Sequence, residues 1–296
     1  MHSDKLLQQE ASSHTLLRPP SPAIMEPPPL PTARDTTSSS PSDAPPSFPK
    51  LEILDRSTTH HFLRPAKRIN DGADVAHFLT SKAYRDIGTY VLQLNRAMCP
   101  RKLPRATGAS PAQTFPLDAP RKDPEPVLKL RELLRKVEAI IDDAPLDTGP
   151  RRFGNIGFRT WHTLLEQRAD GLLREYLPTG ALDVVWGTSS SGSSDGEEAV
   201  GPLDELKAYF LGGFGSSQRL DFGTGHELSF LAFLGCLWKL GVFSGQQVGG
   251  EIPGAVERSI VLGVIEPYVS LLELVAIADV QQIPPGCSPP YPHIQP

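Results

Sequence analysis

At 296 residues the chain has room for one or two domains, yet hydrophobic residues make up 39% of it and proline takes 31 positions. That is about twice the ordinary ~5% share of proline. Eleven of those prolines fall in Met1–Lys50 and six in Ile283–Pro296, which leaves a globular middle between two ends with little to bury. The formal net charge of −5 excludes a global electrostatic pull toward nucleic acid or an anionic membrane surface.

The cysteines, Cys99, Cys236 and Cys287, are far apart and match no metal or redox spacing. Thiols in a reducing compartment are the simplest reading. The first residues carry no basic stretch followed by an apolar one, so no secretory leader is expected. The most apolar run, Leu228–Phe243, includes Ser229 and Lys239 and falls short of the about 20 apolar residues that a membrane crossing needs. The expectation is a soluble intracellular protein with no membrane partner.

Taken in chain order, residues 1–49 are Pro- and Ser-rich and read as a disordered tail. A helical domain is expected over 50–280. Gly72–Met98 opens with Asp74 as its cap and places Val75, Phe78, Leu79, Ala83, Ile87, Val91 and Leu94 on one helical face. Pro100–Pro120 is a proline-broken loop. Pro124–Ala144 is the clearest helix, with Val127, Leu130, Leu134, Val137 and Ile141 as its apolar stripe. Its opposite face, with Lys129, Arg131, Glu132, Arg135, Lys136 and Glu138, reads as solvated.

The second half of Arg151–Leu177 is helical, with Phe158, Trp161, Leu165, Leu172 and Tyr176 toward the core. Residues 187–201 form a flexible Gly/Ser/acidic insert. Helices are expected at Leu203–Leu211, His226–Leu240 and Ile252–Ala278, and residues 281–296 form a Pro-rich tail. Val184-Val185-Trp186 could pass for a strand, but no alternating run supports a sheet, so the fold class is all-α.

One stretch carries chemistry: Gly212-Gly-Phe-Gly-Ser-Ser-Gln-Arg219-Leu-Asp221-Phe-Gly-Thr224-Gly225-His226-Glu227. Thr224 and Glu227 have the Thr-x-x-Glu spacing of a capping box, in which case the glycines only shape a turn. A helix N-terminus surrounded by glycine also presents free amides and the positive end of a dipole to an anion. Arg219 could complete such a site with a charge-assisted bond. Asp221 and His226 are polar groups beside a very apolar helix and should have partners or a ligand. No Gly-Lys-Ser/Thr follows, and the third glycine of a dinucleotide fingerprint is missing.

The run Arg219-Leu-Asp-Phe-Gly-Thr-Gly-His-Glu-Leu-Ser-Phe-Leu-Ala-Phe-Leu-Gly-Cys-Leu-Trp-Lys-Leu-Gly closely resembles the signature of the phosphotyrosyl phosphatase activator family. Three further segments agree in order. They are Lys67-Arg68-Ile69 leading to Ser81-Lys-Ala-Tyr84-Arg-Asp86-Ile87 and Leu94-Asn95; Arg152-Phe153-Gly154-Asn155 with Phe158-Arg159-Thr160-Trp161; and Glu257-Arg258-Ser-Ile-Val-Leu with Glu266-Pro-Tyr268. Fungal members look most similar, and the 187–201 insert points to their activator 1 branch. The resemblance implies an α-helical fold of core, linker and lid, and action on the catalytic subunit of type 2A serine/threonine protein phosphatase. It further implies peptidyl-prolyl cis-trans isomerase activity, dependence on ATP and magnesium, and a cytoplasmic location with the nucleus as a second compartment. Arg219, Thr224 and Gly225 match family residues that touch ATP. Asp221, His226 and Glu227 are the candidates for a catalytic role.

After Tyr268 the likeness decays, with no Glu-Pro-Ala-Gly stretch and no Gly-Val-Trp-Gly-Leu-Asp-Asp loop. That pattern suggests a C-terminal truncation or mis-splicing and an incomplete fold. The family's magnesium lies on the missing loop, so no metal ligand is assigned to this chain. The loss should leave Leu231, Phe233, Leu234 and Leu237 short of cover. A non-catalytic helical phosphatase-binding protein is therefore the alternative reading, and a nucleotide hydrolase a weaker third. His60-His61 reads as an exposed loop, Arg121-Lys122 as solvated, and Trp161, Trp186 and Trp238 as core.

Overall fold

The computed structural model describes residues 48–100, 114–115, 121–144, 156–182, 200–216, 224–246 and 253–280. These fall in one compact unit, and among them every regular element is helical, with no strand. In chain order the α-helices are α1 (Gly72–Leu79), α2 (Lys82–Met98), α3 (Glu125–Asp143), α4 (Ile156–Tyr176), α5 (Thr179–Leu182), α6 (Pro202–Gly212), α7 (Thr224–Lys239), α8 (Ala255–Ile260) and α9 (Glu266–Val280). A π-helical turn, Val261–Ile265, joins α8 to α9. The all-α expectation stands. The stretches 1–47, 183–199 and 281–296, with most of the two tails and the insert, lie outside the described residues, as does the Val184-Val185-Trp186 segment.

The expected single helix over Gly72–Met98 is two. Asp71, not Asp74, caps α1 by accepting from the amides of Ala73 and Asp74, and Ser81 caps α2 by accepting from the Tyr84 amide. A second cap inside a continuous apolar pattern divides it, because the Ser81 hydroxyl offers the backbone an alternative to the helical ladder. α1 buries nothing, and Val75, Leu79 and Val91 are exposed. The buried face of α2 is instead Tyr90, Gln93, Leu94 and Ala97.

α3 follows its sequence closely. Proline at its start costs no hydrogen bond there, and Val127, Leu130, Leu134 and Val137 are buried as expected. They pack on Phe158, Trp161 and Leu165 of α4, whose Trp161 Nε1 donates to the Val137 carbonyl at 3.3 Å. Farther along, the core positions are Leu173 on α4 and Leu177 just past its end, with Leu172 and Tyr176 only flanking them. The solvated face of α3 has one exception. Arg131 Nη1 lies 3.1 Å from Asp123, a carboxylate only 3% exposed that also pairs with Arg121. Arg121 in turn donates to the Leu262 carbonyl at 3.1 Å, within the π turn, where the helical ladder is interrupted. Arg121 is thus a structural link rather than a solvated cation.

Helix α7 is the centre. It packs on α6 and α2, and its Phe233, Leu234 and Leu237 are fully buried with Leu231 partly so. The expected lack of cover is contradicted for Phe233, Leu234 and Leu237, because α2, α6 and the segment before α1 supply it, while Leu231 borders an open cleft. That segment, residues 51–62, is a strap without helix. The Leu51 amide donates to Gln93 Oε1 at 2.9 Å, the Leu54 amide to the Lys239 carbonyl at 2.8 Å, and Trp238 Nε1 to the Leu51 carbonyl at 2.9 Å.

Behind the strap the family-like Glu257-Arg258 pair is buried. Gln93 Nε2 donates to Glu257 at 3.1 Å, with Lys50 at 3.6 Å, while Arg258 donates to the carbonyls of Ala97 and Pro253 and stacks over Phe115 at 3.8 Å. Buried charges persist only with such partners.

Candidate functional site

The signature segment forms the junction of α6 and α7. Gly212 ends α6, and its own Cβ would lie 2.6 Å from Ser229 Oγ; a Cβ on Gly213 would meet Phe230 Cβ at 3.0 Å. Glycine here lets α6 and α7 approach closely. The amides of Gly213 and Phe214 donate to the carbonyls of Tyr209, Phe210 and Leu211. They are therefore committed to the end of α6, whereas the amides expected to hold an anion belong to the start of α7. Gly215 then turns the chain at φ 99°, in the left-handed region where glycine carries no steric penalty.

The carbonyls at the end of α6 carry the negative end of its dipole, and three side chains from three other helices gather on this end. The His226 Nδ1–H donates to the Gly212 carbonyl at 3.0 Å, and the Tyr268 hydroxyl of α9 donates to the Gly213 carbonyl. His162 of α4 faces the backbone of Leu211 and Gly215 without forming a well-aligned hydrogen bond. Burial holds the His162 pKa below the ordinary histidine value, while Glu166 and the nearby backbone pull upward and His226 adds a smaller push down. Tyr268 also stacks flat on Phe230, with ring centroids 3.8 Å apart. Its phenol is pushed up by burial first and by Glu227 second.

Of the residues expected at the site, Arg219 and Asp221 lie outside the described residues. Thr224 begins α7, but its side chain is also outside them, and with it the proposed capping box. Gly225 is exposed, with open space where a Cβ would be. His226 is buried at 8% and turned inward to Gly212, while Glu227 faces solvent. The first turn of α7 thus separates these three residues instead of bringing them together. His226 has found the partner that its burial demanded. Among the described residues no cluster of His, Cys, Asp or Glu could hold a metal ion, and no helix is long and apolar enough to cross a membrane.

A cleft at the other end of α7 was missed from the sequence. About 210 Å³ remains open between α2, α6 and α7 beneath the strap, because Ala83, Ala232 and Gly235 leave the facing helices short of side chain. Its polar rim holds the Asp86–Lys239 ion pair and Glu205. Burial works to raise the Asp86 pKa but is outweighed by Lys239 and Arg85, so the carboxyl stays below its ordinary value. Glu205 is pushed up by burial, with the Leu63 amide at 3.1 Å and the more distant Lys239 pulling it back. Burial also pushes the Cys236 thiol and the Tyr209 phenol each up to about 12. His60 is not the exposed loop residue expected, since it is half-buried at this rim.

Residues 65–278 match the family model described as "Phosphotyrosyl phosphate activator (PTPA) protein". The chain is 44% identical to serine/threonine-protein phosphatase 2A activator 1 of Neurospora crassa, over 77% of this chain and 52% of the relative. It is 50% identical to the protein of the same name from Aspergillus fumigatus, over 77% of this chain and 46% of the relative. The chain therefore spans about half the length of these relatives. The crystal structure of a PP2A phosphatase activator superposes with a TM-score of 0.56 at 25% identity, over 78% of this chain and 61% of that one.

Proposed function

Because the chain belongs to the PTPA family, we propose that it activates type 2A serine/threonine protein phosphatase by binding the catalytic subunit and favouring its active conformation. The observation that carries this reading is the family match across residues 65–278, which takes in every helix from α1 to α8 and most of α9. A ligand shifts such an equilibrium only through its differential affinity for the two states. A rigid helical face suits that task better than a reactive side chain.

The finer part of the proposal is prolyl isomerisation. The barrier to peptide rotation is ~18–20 kcal/mol and arises from amide resonance. Desolvation and a grip on the twisted amide lower it without any nucleophile. His226, with Nδ1 held by Gly212, serves the architecture, and Glu227 remains available at the surface.

For ATP, the positive end of the α7 dipole favours an anion at the start of that helix, with Arg219, Thr224 and Gly225 as its contacts. Bound nucleotide would supply polyphosphate charge that those groups hold. Among the described residues no group of acidic or histidine side chains is placed to hold magnesium.

The test adds the full chain to an inactive type 2A catalytic subunit, with and without ATP and magnesium, beside a proline-peptide isomerisation assay. Recovered phosphatase activity is expected. Tight binding with neither recovery nor isomerisation would replace this reading with the binding-only one. Phosphate release by the chain alone would point to a hydrolase.

A further inference from the structure

The cleft beneath the strap combines an apolar body with one carboxylate that makes no ion pair among the described residues. Ile87, Leu206 and Leu231 wall it, and Ala232 and Gly235 leave its floor low. At the rim, Asp86 is matched by Lys239 and by Arg85, whose Nη2 lies 3.3 Å away, with Lys82 acting on it from outside the lining. Glu205 is met only by the more distant Lys239. It accepts the Leu63 amide at 3.1 Å, and among the described residues it forms no ion pair. The Tyr90 ring belongs to the same wall, and among the described residues its buried hydroxyl has no hydrogen-bond partner.

A carboxylate at an apolar cleft is costly when unpaired. A cation brought against it gains a charge-assisted hydrogen bond in a medium less polarisable than water. An anionic ligand gains nothing comparable, because Lys239 is already engaged by Asp86. A neutral ligand gains burial alone.

We propose that this cleft binds a small apolar molecule carrying one protonated amine, its body over Ala232 and Gly235 and its ammonium against Glu205. The raised affinity of Glu205 for protons at this rim is consistent with a carboxylate awaiting a cation. The site lies toward the opposite end of α7 from Gly225 and does not depend on nucleotide binding or on phosphatase activation.

Calorimetric titration of the full chain at neutral pH with phenylpropylamine, phenylpropanol and phenylpropionate tests it. The amine should bind about tenfold more tightly than the alcohol, the scale of one charge-assisted bond, and the acid should bind least. Glu205→Gln, which keeps an acceptor for the Leu63 amide, should erase the preference for amine over alcohol. Gly235→Leu should fill the floor and abolish binding of all three. Bound amine should also protect Cys236, in the cleft wall, from slow alkylation without protecting the exposed Cys99. Absence of binding, equal affinity for amine and alcohol, an unchanged preference in Glu205→Gln, or unprotected Cys236 would each overturn the proposal. Should Gly235→Leu fail to melt cooperatively, the Glu205→Gln titration decides.

Discussion

Along α7, Phe230 and Phe233 are enclosed by Phe210, Phe214 and Tyr268 in a run of ring contacts 3.8 to 6.1 Å between centroids. Farther along the same helix, Gly235 and Cys236 border open space. Both faces are apolar, and hydropathy alone does not distinguish them. Side-chain volume does. Where two helices meet through glycine on one side and phenylalanine on the other, as at Gly213 and Phe230, the gap is filled; where Ala83, Ala232 and Gly235 line the facing surfaces, it is not. The filled end holds stability and the unfilled end has room for a guest.

The largest test of that contrast removes a large apolar side chain from each end. Phe233→Ala, at a position with no exposure, should cost about 3–5 kcal/mol in chemical denaturation. Leu231→Ala, on the partly buried cleft side, should cost less than half as much. Comparable losses would dissolve the distinction.

A second test adds a methyl group instead. Gly213→Ala places a Cβ 3.0 Å from Phe230 Cβ and 3.1 Å from the Phe210 carbonyl, and should destabilise by about 1–3 kcal/mol. Gly235→Ala finds its nearest neighbour at 3.6 Å, so helix propensity should prevail and stabilise by up to about 1 kcal/mol. Opposite signs in the two melting curves are the expected outcome.

Much of this architecture was legible in the sequence. The α3 stripe was clear because Val127 to Val137 repeats without interruption between prolines. The Ser81 break was hidden by apolar residues on both of its sides, and hydroxyl capping outweighed the periodicity. The cleft could not be read, because an empty volume depends on which small residues face one another across two helices. At the α6–α7 junction the glycines were recognised, but what they meet is set by packing: Ser229 and Phe230 come from the face of the next helix, and His162 and Tyr268 from α4 and α9. Local pattern could therefore not show which groups close on that turn.

Smaller effects sharpen the picture of the filled end. Tyr268→Phe keeps the stack on Phe230 and deletes only the hydroxyl bond to the Gly213 carbonyl, for an expected loss of about 1–2 kcal/mol in thermal denaturation. The least effect at neutral pH comes from His162. Its folded pKa lies below the ordinary 6.5, so the unfolded chain binds the proton more readily. The stability associated with neutral His162 is complete above pH 6.5 and declines as pH falls through the folded value. Denaturation midpoints on either side of that pH should show the decline, and His162→Phe should flatten it.

The strap has a consequence for how the molecule is made. Its bond from Trp238 to Leu51 joins residues 187 positions apart, a long loop whose closure entropy must be met before the contact contributes anything. At ribosomal rates of ~5–20 residues per second, the strap waits on the order of ten seconds for its partner on α7 to be synthesised. During that interval Leu51 and Leu54 have no groove to enter, so the roof of the cleft is the last part of it to form, and nascent chains caught early should present the strap to chaperones.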